Sequence, residues 1–216
     1  MPLSWKQSGY RQVGVNDPNV SPYCKCWIKQ GGAVVVGIIA EGTSKDLSAN
    51  WNSPFEGDSV GSKFSKTGGL LQSGALSDST RGVTTVTTMS SQQVWQGNQP
   101  HSFNISLQLY ALSDPKSEVM DALMELERMA SPEVHAMSPV GGFSGDSDDR
   151  VLGRIPQTVF VNIGRNVVYG PCVIESLQMP LDGPRSQDGY LMEALVNLTI
   201  QSETMLNRSQ IAGTYG

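Results

Sequence analysis

Along His101 to Leu112, Phe103, Ile105, Leu107, Leu109 and Ala111 alternate with Ser102, Asn104, Ser106, Gln108 and Tyr110. Successive side chains of a strand point to opposite faces, so this alternation predicts a strand with one buried and one wet side. Immediately after it, Asp114-Pro115 supplies an N-cap and a first-turn proline, and Val119, Ala122, Leu123, Leu126 and Ala130 recur at helical spacing. An amphipathic helix is predicted over about 114–131, closed by Ser131-Pro132 because the residue before proline is pushed out of the α region. Asp121, Glu125 and Glu127 fall on the side expected to face solvent.

Other segments carry the same period of two or a continuous apolar run. Ala33 to Ala40 is β-branched and bounded by glycines, which predicts a strand buried on both faces. Val83 to Met89 is dense in valine and threonine and predicts a strand with its threonines on a wetter face. Strands are expected again at Gln157 to Ile163 and, after the Gly164-Arg165-Asn166 turn, at Val167 to Tyr169. Gly170-Pro171 is expected to interrupt the chain before a further strand from Cys172 to Met179. In the last strand, Tyr190 to Gln201, Ala194, Val196, Leu198 and Ile200 share one face and Leu195, Asn197, Thr199 and Gln201 the other. The short connections favour antiparallel pairing.

Breakers divide what remains. Residues 1–32, punctuated by Gly9, Gly14, Pro18, Pro22, Gly31 and Gly32, read as an extended arm or short strands. Residues 41–82 are rich in glycine, serine, threonine, aspartate and asparagine, with Trp51, Phe55, Phe64 and Leu70-Leu71 irregularly spaced, and suggest an interaction arm or long hairpin. Residues 138–154, with Asp146, Asp148 and Asp149, read as a surface loop, and Pro180 to Gly189 as a turn region. The expected division is an N-terminal part, 1–94, and a β domain, 95–216, within one continuous folded unit.

Composition agrees with a mainly β chain: of 216 residues only 16% are charged and 38% are hydrophobic, while small polar residues are abundant. A net charge of −5 without any lysine/arginine cluster speaks against a duplex-binding surface. The start, Met1-Pro2-Leu3-Ser4-Trp5-Lys6, lacks a basic flank and apolar stretch, and no run reaches the about 18 to 20 apolar residues that span a bilayer. The expectation is a chain made and kept in a cytoplasm, without membrane insertion.

Local chemistry motifs are sparse. Cys24, Cys26 and Cys172 are odd in number and are expected as reduced thiols; Cys24-Lys25-Cys26 has too short a spacing and too few companions for a zinc site, and alternation would put both side chains on one face. His101 and His135 stand in no ligand or triad spacing and are expected at a surface or interface. Asp146-Ser147-Asp148-Asp149 lacks the glycine and late glutamate of a calcium loop, and Gly31-Gly32 and Gly68-Gly69 lack the patterns of phosphate loops. No catalytic, cofactor-binding or metal residue is therefore nominated, and no cofactor is expected.

The run Trp95-Gln96-Gly97-Asn98-Gln99-Pro100-His101-Ser102-Phe103-Asn104-Ile105-Ser106-Leu107-Gln108-Leu109, followed by the capped helix, resembles the tail-tube-like proteins of contractile phages. Val168-Tyr169-Gly170-Pro171-Cys172-Val173-Ile174-Glu175-Ser176 and the segment Gly189 to Ile200 look like their closing strands. The resemblance implies a tail-tube-like antiparallel β-sandwich or barrel flanked by one helix, with subunits joined into a ring, expected to be a hexamer. It implies a structural virion protein of the tail or baseplate, assembled in the host cytoplasm, and no enzyme. Partners would be further copies, the baseplate hub, the tail tube and wedge or sheath proteins, with DNA met only in passage through a lumen. Residues 1–94 exceed a minimal tube subunit, which favours a tube initiator, or adaptor, at the hub over the tube protein itself. Two other readings fit the same residues: an adhesive β-sandwich on a virion surface, and an enzyme whose site assembles only in three dimensions.

Overall fold

The computed structural model of the chain describes residues 9–52, 93–132 and 155–215. The strand expected at Val83 to Met89, His135, the loop 138–154 and most of the arm 41–82 lie outside the described residues. The described residues fold mainly as strands: β1 (Arg11–Gly14), β2 (Lys25–Gln30), β3 (Ala33–Ile39), β4 (Ser44–Asp46), β5 (Ala49–Asn52), β6 (Val94–Asn98), β7 (Ser102–Tyr110), β8 (Val159–Ile163), β9 (Val167–Gln178) and β10 (Glu193–Ser202). Two α-helices accompany them, α1 (Asp121–Ala130) and the short α2 (Arg208–Ile211). Among these residues no helix is long and apolar enough to cross a membrane. By its contacts the chain divides into two compact units, one from 1–47 and 100–216, the other from 48–99.

In the larger unit the strand order β3-β2-β8-β9-β10-β7 returns from β7 to β3 through Ile38 opposite Gln108 and Ile39 opposite Leu107, closing an antiparallel barrel of six strands. Two of these strands come from before residue 95 and four from after it. β1 runs parallel to β3 through Arg11 to Gly14, and β4 pairs with β7 at Asn104, Phe103 and Ser102. Together they extend the sheet on either side of the short β3–β7 seam.

The predicted inward faces are the buried ones. Phe103, Ile105, Leu107 and Leu109 of β7 and Ala194, Val196, Leu198 and Ile200 of β10 meet Ile28, Val35, Val161 and Cys172 in the core. β9 runs unbroken through the cis Gly170-Pro171 peptide, where an interruption was expected. The reason lies in the register: Val159 faces Cys172 and Val161 faces Tyr169, so Gly170 and Pro171 together oppose Phe160 as a bulge, where proline's missing N–H breaks no ladder. Gly170 also has no room for a side chain, since an added Cβ would lie 2.2 Å from Cδ1 of Phe160.

The helix sits where the spacing placed it, although its first turn, Lys116–Met120, is wound as a π-helix. Asp114 receives the amides of Lys116 and Ser117, and the buried Glu118 carboxylate receives those of Leu112, Ser113 and Asp114, so the turn entering the helix is held by side-chain acceptors. Ala122, Leu123, Leu126 and Met129 are buried. Full burial of a side chain of the Leu or Met kind is worth about 1.5–3 kcal/mol, so packing holds a helix too short to persist alone. α1 packs on β1, β3 and β9, and because β3 and β9 stand on opposite sides of the six-strand ring it crosses the barrel's mouth. Glu125 corrects the expected solvent face: it is buried, with Arg128 at 3.2 Å and Arg11 of β1 at 4.0 Å balancing its charge.

Candidate functional site

The opposite mouth of the barrel, where β2 begins and β10 ends, gathers the molecule's most unusual polar chemistry. Tyr169 of β9 is buried, with its ring 4.5 Å from that of Phe103 and 6.0 Å from that of His101. Past the end of β3, β4 takes over as the neighbour of β7 and pairs Lys45 with Phe103. Directly opposed residues share a face, so Lys45 turns inward beside the apolar lining. The C-terminal segment covers this end: after α2 and a 3₁₀ turn at Ala212–Thr214, Tyr215 bridges Val167.

Lys45 Nζ donates to Oη of Tyr169 and, at 3.2 Å, to Oη of Tyr215. Its ammonium also lies 4.9 Å from the Tyr169 ring centroid and 5.3 Å from that of Tyr215. Thr214 Oγ1 stands 2.7 Å from the Ile211 carbonyl and 3.2 Å from Tyr169 Oη. With one proton per hydroxyl, Thr214 donates to the nearer carbonyl and Tyr169 donates to Thr214. Tyr169 is thereby satisfied as both acceptor and donor.

Burial works against the charge on Lys45, but the bonds to the two phenols outweigh it and hold its pKa above the ordinary lysine value. The same hydrogen bond, together with the lysine's charge, lowers the pKa of Tyr215. His101 is buried, whereas a surface or interface position was expected of it: its backbone pairs with Ser202, and its ring lies beside that of Tyr169, tilted by 35° to it. Burial, then the neighbouring Lys45 charge, pushes its pKa down, and its Nδ1 has no hydrogen-bond partner among the described residues.

The smaller unit presents a different surface. β5 and β6 pair as antiparallel strands with Trp51 directly opposite Trp95, and the two indoles are 56% and 52% exposed. Trp95 Nε1 donates to Asn98 Oδ1 at 2.9 Å, which fixes one ring, and Val94 beside it is exposed as well. Exposed paired aromatics with a polar handle are a common currency of recognition surfaces.

The remaining candidates are dispersed. Cys24 lies exposed in a 3₁₀ turn, Pro22–Cys24, opened by Ser21, whereas Cys26 is buried in β2, so the two thiols do not share a strand face. Burial pushes the thiols of Cys26 and Cys172 up to about 12. Among the described residues no group of three His, Cys, Asp or Glu side chains is arranged to hold a metal. An open cleft of about 380 Å³ lies between the end of α1, Gln30 of β2 and residues 155–157 ahead of β8, but Gln30 is already engaged with the carbonyls of Met129 and Gln157. The lysine–tyrosine mouth escaped sequence reading because its members come from four distant segments; the inward Lys45, in a three-residue strand, leaves no periodic signal. No protein-family model matches this chain, and no curated protein matches it.

Proposed function

We propose that this chain is a structural subunit of a contractile phage tail, forming a ring at the baseplate hub that joins to or initiates the tail tube. What supports the reading is the order of parts within a closed antiparallel barrel: the strand β7, the capped helix α1, then the closing strands β8 to β10. That is the order on which the resemblance to tail-tube-like proteins rests. Among the described residues the barrel's own sheet leaves free edges on the short β1 and β4, so ring contacts would be made at these edges and by side-chain surfaces. The β5–β6 strand pair with its exposed tryptophans suits the contacts an adaptor makes beyond its own ring.

Negative-stain microscopy and light scattering across a concentration series test it. Closed rings of constant diameter are the expected result, and a chain that stays monomeric throughout overturns the reading. The exposed Trp51–Trp95 pair favours one second reading, an adhesive module that stacks sugars on its indoles. A monomer that binds a glycan array through those two residues would establish it instead.

A further inference from the structure

Beyond β10 the chain closes the barrel mouth with little apolar packing. Residues 203–207 carry neither helix nor strand, and Leu206 among them packs half-buried on the core. The following α2 and 3₁₀ turn bury no side chain. Polar contacts tie them to the barrel: Lys45 Nζ donates to Tyr215 Oη at 3.2 Å, Tyr169 Oη donates to Thr214 Oγ1 at 3.2 Å, and Tyr215 bridges Val167 through the backbone. A segment held by such outlying bonds, with no buried side chain of its own, opens locally at a lower cost than the whole fold.

His101 lies at the same mouth, buried, and its Nδ1 has no hydrogen-bond partner among the described residues. The titratable groups around it there are Lys45 of β4 and Tyr169 of β9, with Tyr215 one hydrogen bond further away on Lys45; no carboxylate among the described residues pairs with it. A proton taken up by this ring makes a second cation beside the Lys45 ammonium and puts an N–H at Nδ1, where no acceptor stands. Burial and the Lys45 charge accordingly hold its pKa below the ordinary value. Moving Tyr215 and Thr214 off Lys45 and Tyr169 admits water, which solvates both charges.

We propose that residues 207–215 form a strap across the barrel mouth, closed at neutral pH and released ahead of the barrel when His101 takes up a proton. Residues 203–206 are the hinge, anchored by the bond from the Glu203 amide to the Pro171 carbonyl at 3.1 Å and by the packing of Leu206. The direction follows from linkage: the opened mouth binds the proton more tightly than the closed one. Opening therefore gains as pH falls below about 6.5, by at most about tenfold per pH unit for one proton. The strap is a property of one chain and stands whether or not copies assemble into a ring.

Amide hydrogen exchange on the full chain at pH 7.5 and 5.0 tests it, read as protection factors, in which the intrinsic rate at each pH is divided out. Amides of residues 210–215 are expected to be protected at least about a hundredfold less than those of β10, and to lose a further roughly three- to tenfold at pH 5.0. In His101→Gln that further loss should vanish. Tyr215→Phe, which removes one hydroxyl and leaves His101 in place, should lower strap protection at both pH values and raise the pKa of the His101 imidazole toward about 6.5 in an NMR titration. The proposal is overturned if the strap and β10 share one protection factor, or if the loss at pH 5.0 is absent from the wild type or persists in His101→Gln. Should His101→Gln not fold, Tyr215→Phe decides: an unchanged strap and an unchanged imidazole titration overturn it.

Discussion

Gly37 of β3 lies directly against Leu107 of β7: a Cβ placed on the glycine would stand 3.1 Å from the Leu107 Cβ and 3.4 Å from its Cδ2. This close approach occurs where β3 meets β7 through only two residue pairs to close the barrel. Gly37→Val is expected to destabilise the fold by about 1–3 kcal/mol through overpacking. Urea denaturation measures it, and Leu107→Ala in the same chain should recover part of the loss because the two sites are in contact. Additive costs would show that the seam is not where the strain falls.

Glu118 holds the chain between β7 and α1 by accepting the amides of Leu112, Ser113 and Asp114 with one buried carboxylate. Glu118→Ala leaves those donors without their acceptor and should cost about 1–3 kcal/mol or more. Glu118→Gln retains a carbonyl oxygen and should cost less. Amide hydrogen exchange at residues 112–114 should accelerate in the alanine variant ahead of global unfolding.

His101 makes stability depend on pH in a definite direction. Burial and the Lys45 charge lower its pKa in the folded chain, so the unfolded chain takes up a proton near the ordinary value of about 6.5 that the folded chain refuses. Stability contributed by this residue is complete above that pH and declines as pH falls through the folded pKa. Melting temperatures between pH 7.5 and 5 should fall more steeply for the wild type than for His101→Gln. Parallel profiles would remove His101 as the cause.

The three thiols should separate by reactivity. Cys24 is exposed, while Cys26 and Cys172 are buried and their pKa values are pushed to about 12. Native alkylation at pH 8 should therefore stop at Cys24, with the other two modified only in denaturant, as mass spectrometry of the labelled peptides would show. Fast labelling of Cys26 in the native chain would contradict its place in the core.

Much of the barrel was legible because strand and helix periods are local. The alternation in Ser102 to Tyr110 and Glu193 to Ser202 predicted which side chains are buried, and the spacing of Val119, Ala122, Leu123 and Leu126 predicted the helix face. The proline signal at Gly170-Pro171 misled because a bulge opposite Phe160 accommodates it, and a bulge is a property of two strands and not of one.

What the sequence determined by itself is a mainly β chain with one principal helix, since each of those elements is specified by neighbours a few residues apart. Only the tertiary structure decided how the elements meet. Closure depends on Ile38 and Ile39 reaching Gln108 and Leu107, Glu125 is buried because Arg11 arrives from β1 to balance it, and His101 is covered from Tyr169 and Ser202. The inward Lys45 owes its surroundings to residues 103, 169, 214 and 215 at once. Burial and charge balance depend on everything that packs around a group, and a local period carries no record of partners that distant in the chain.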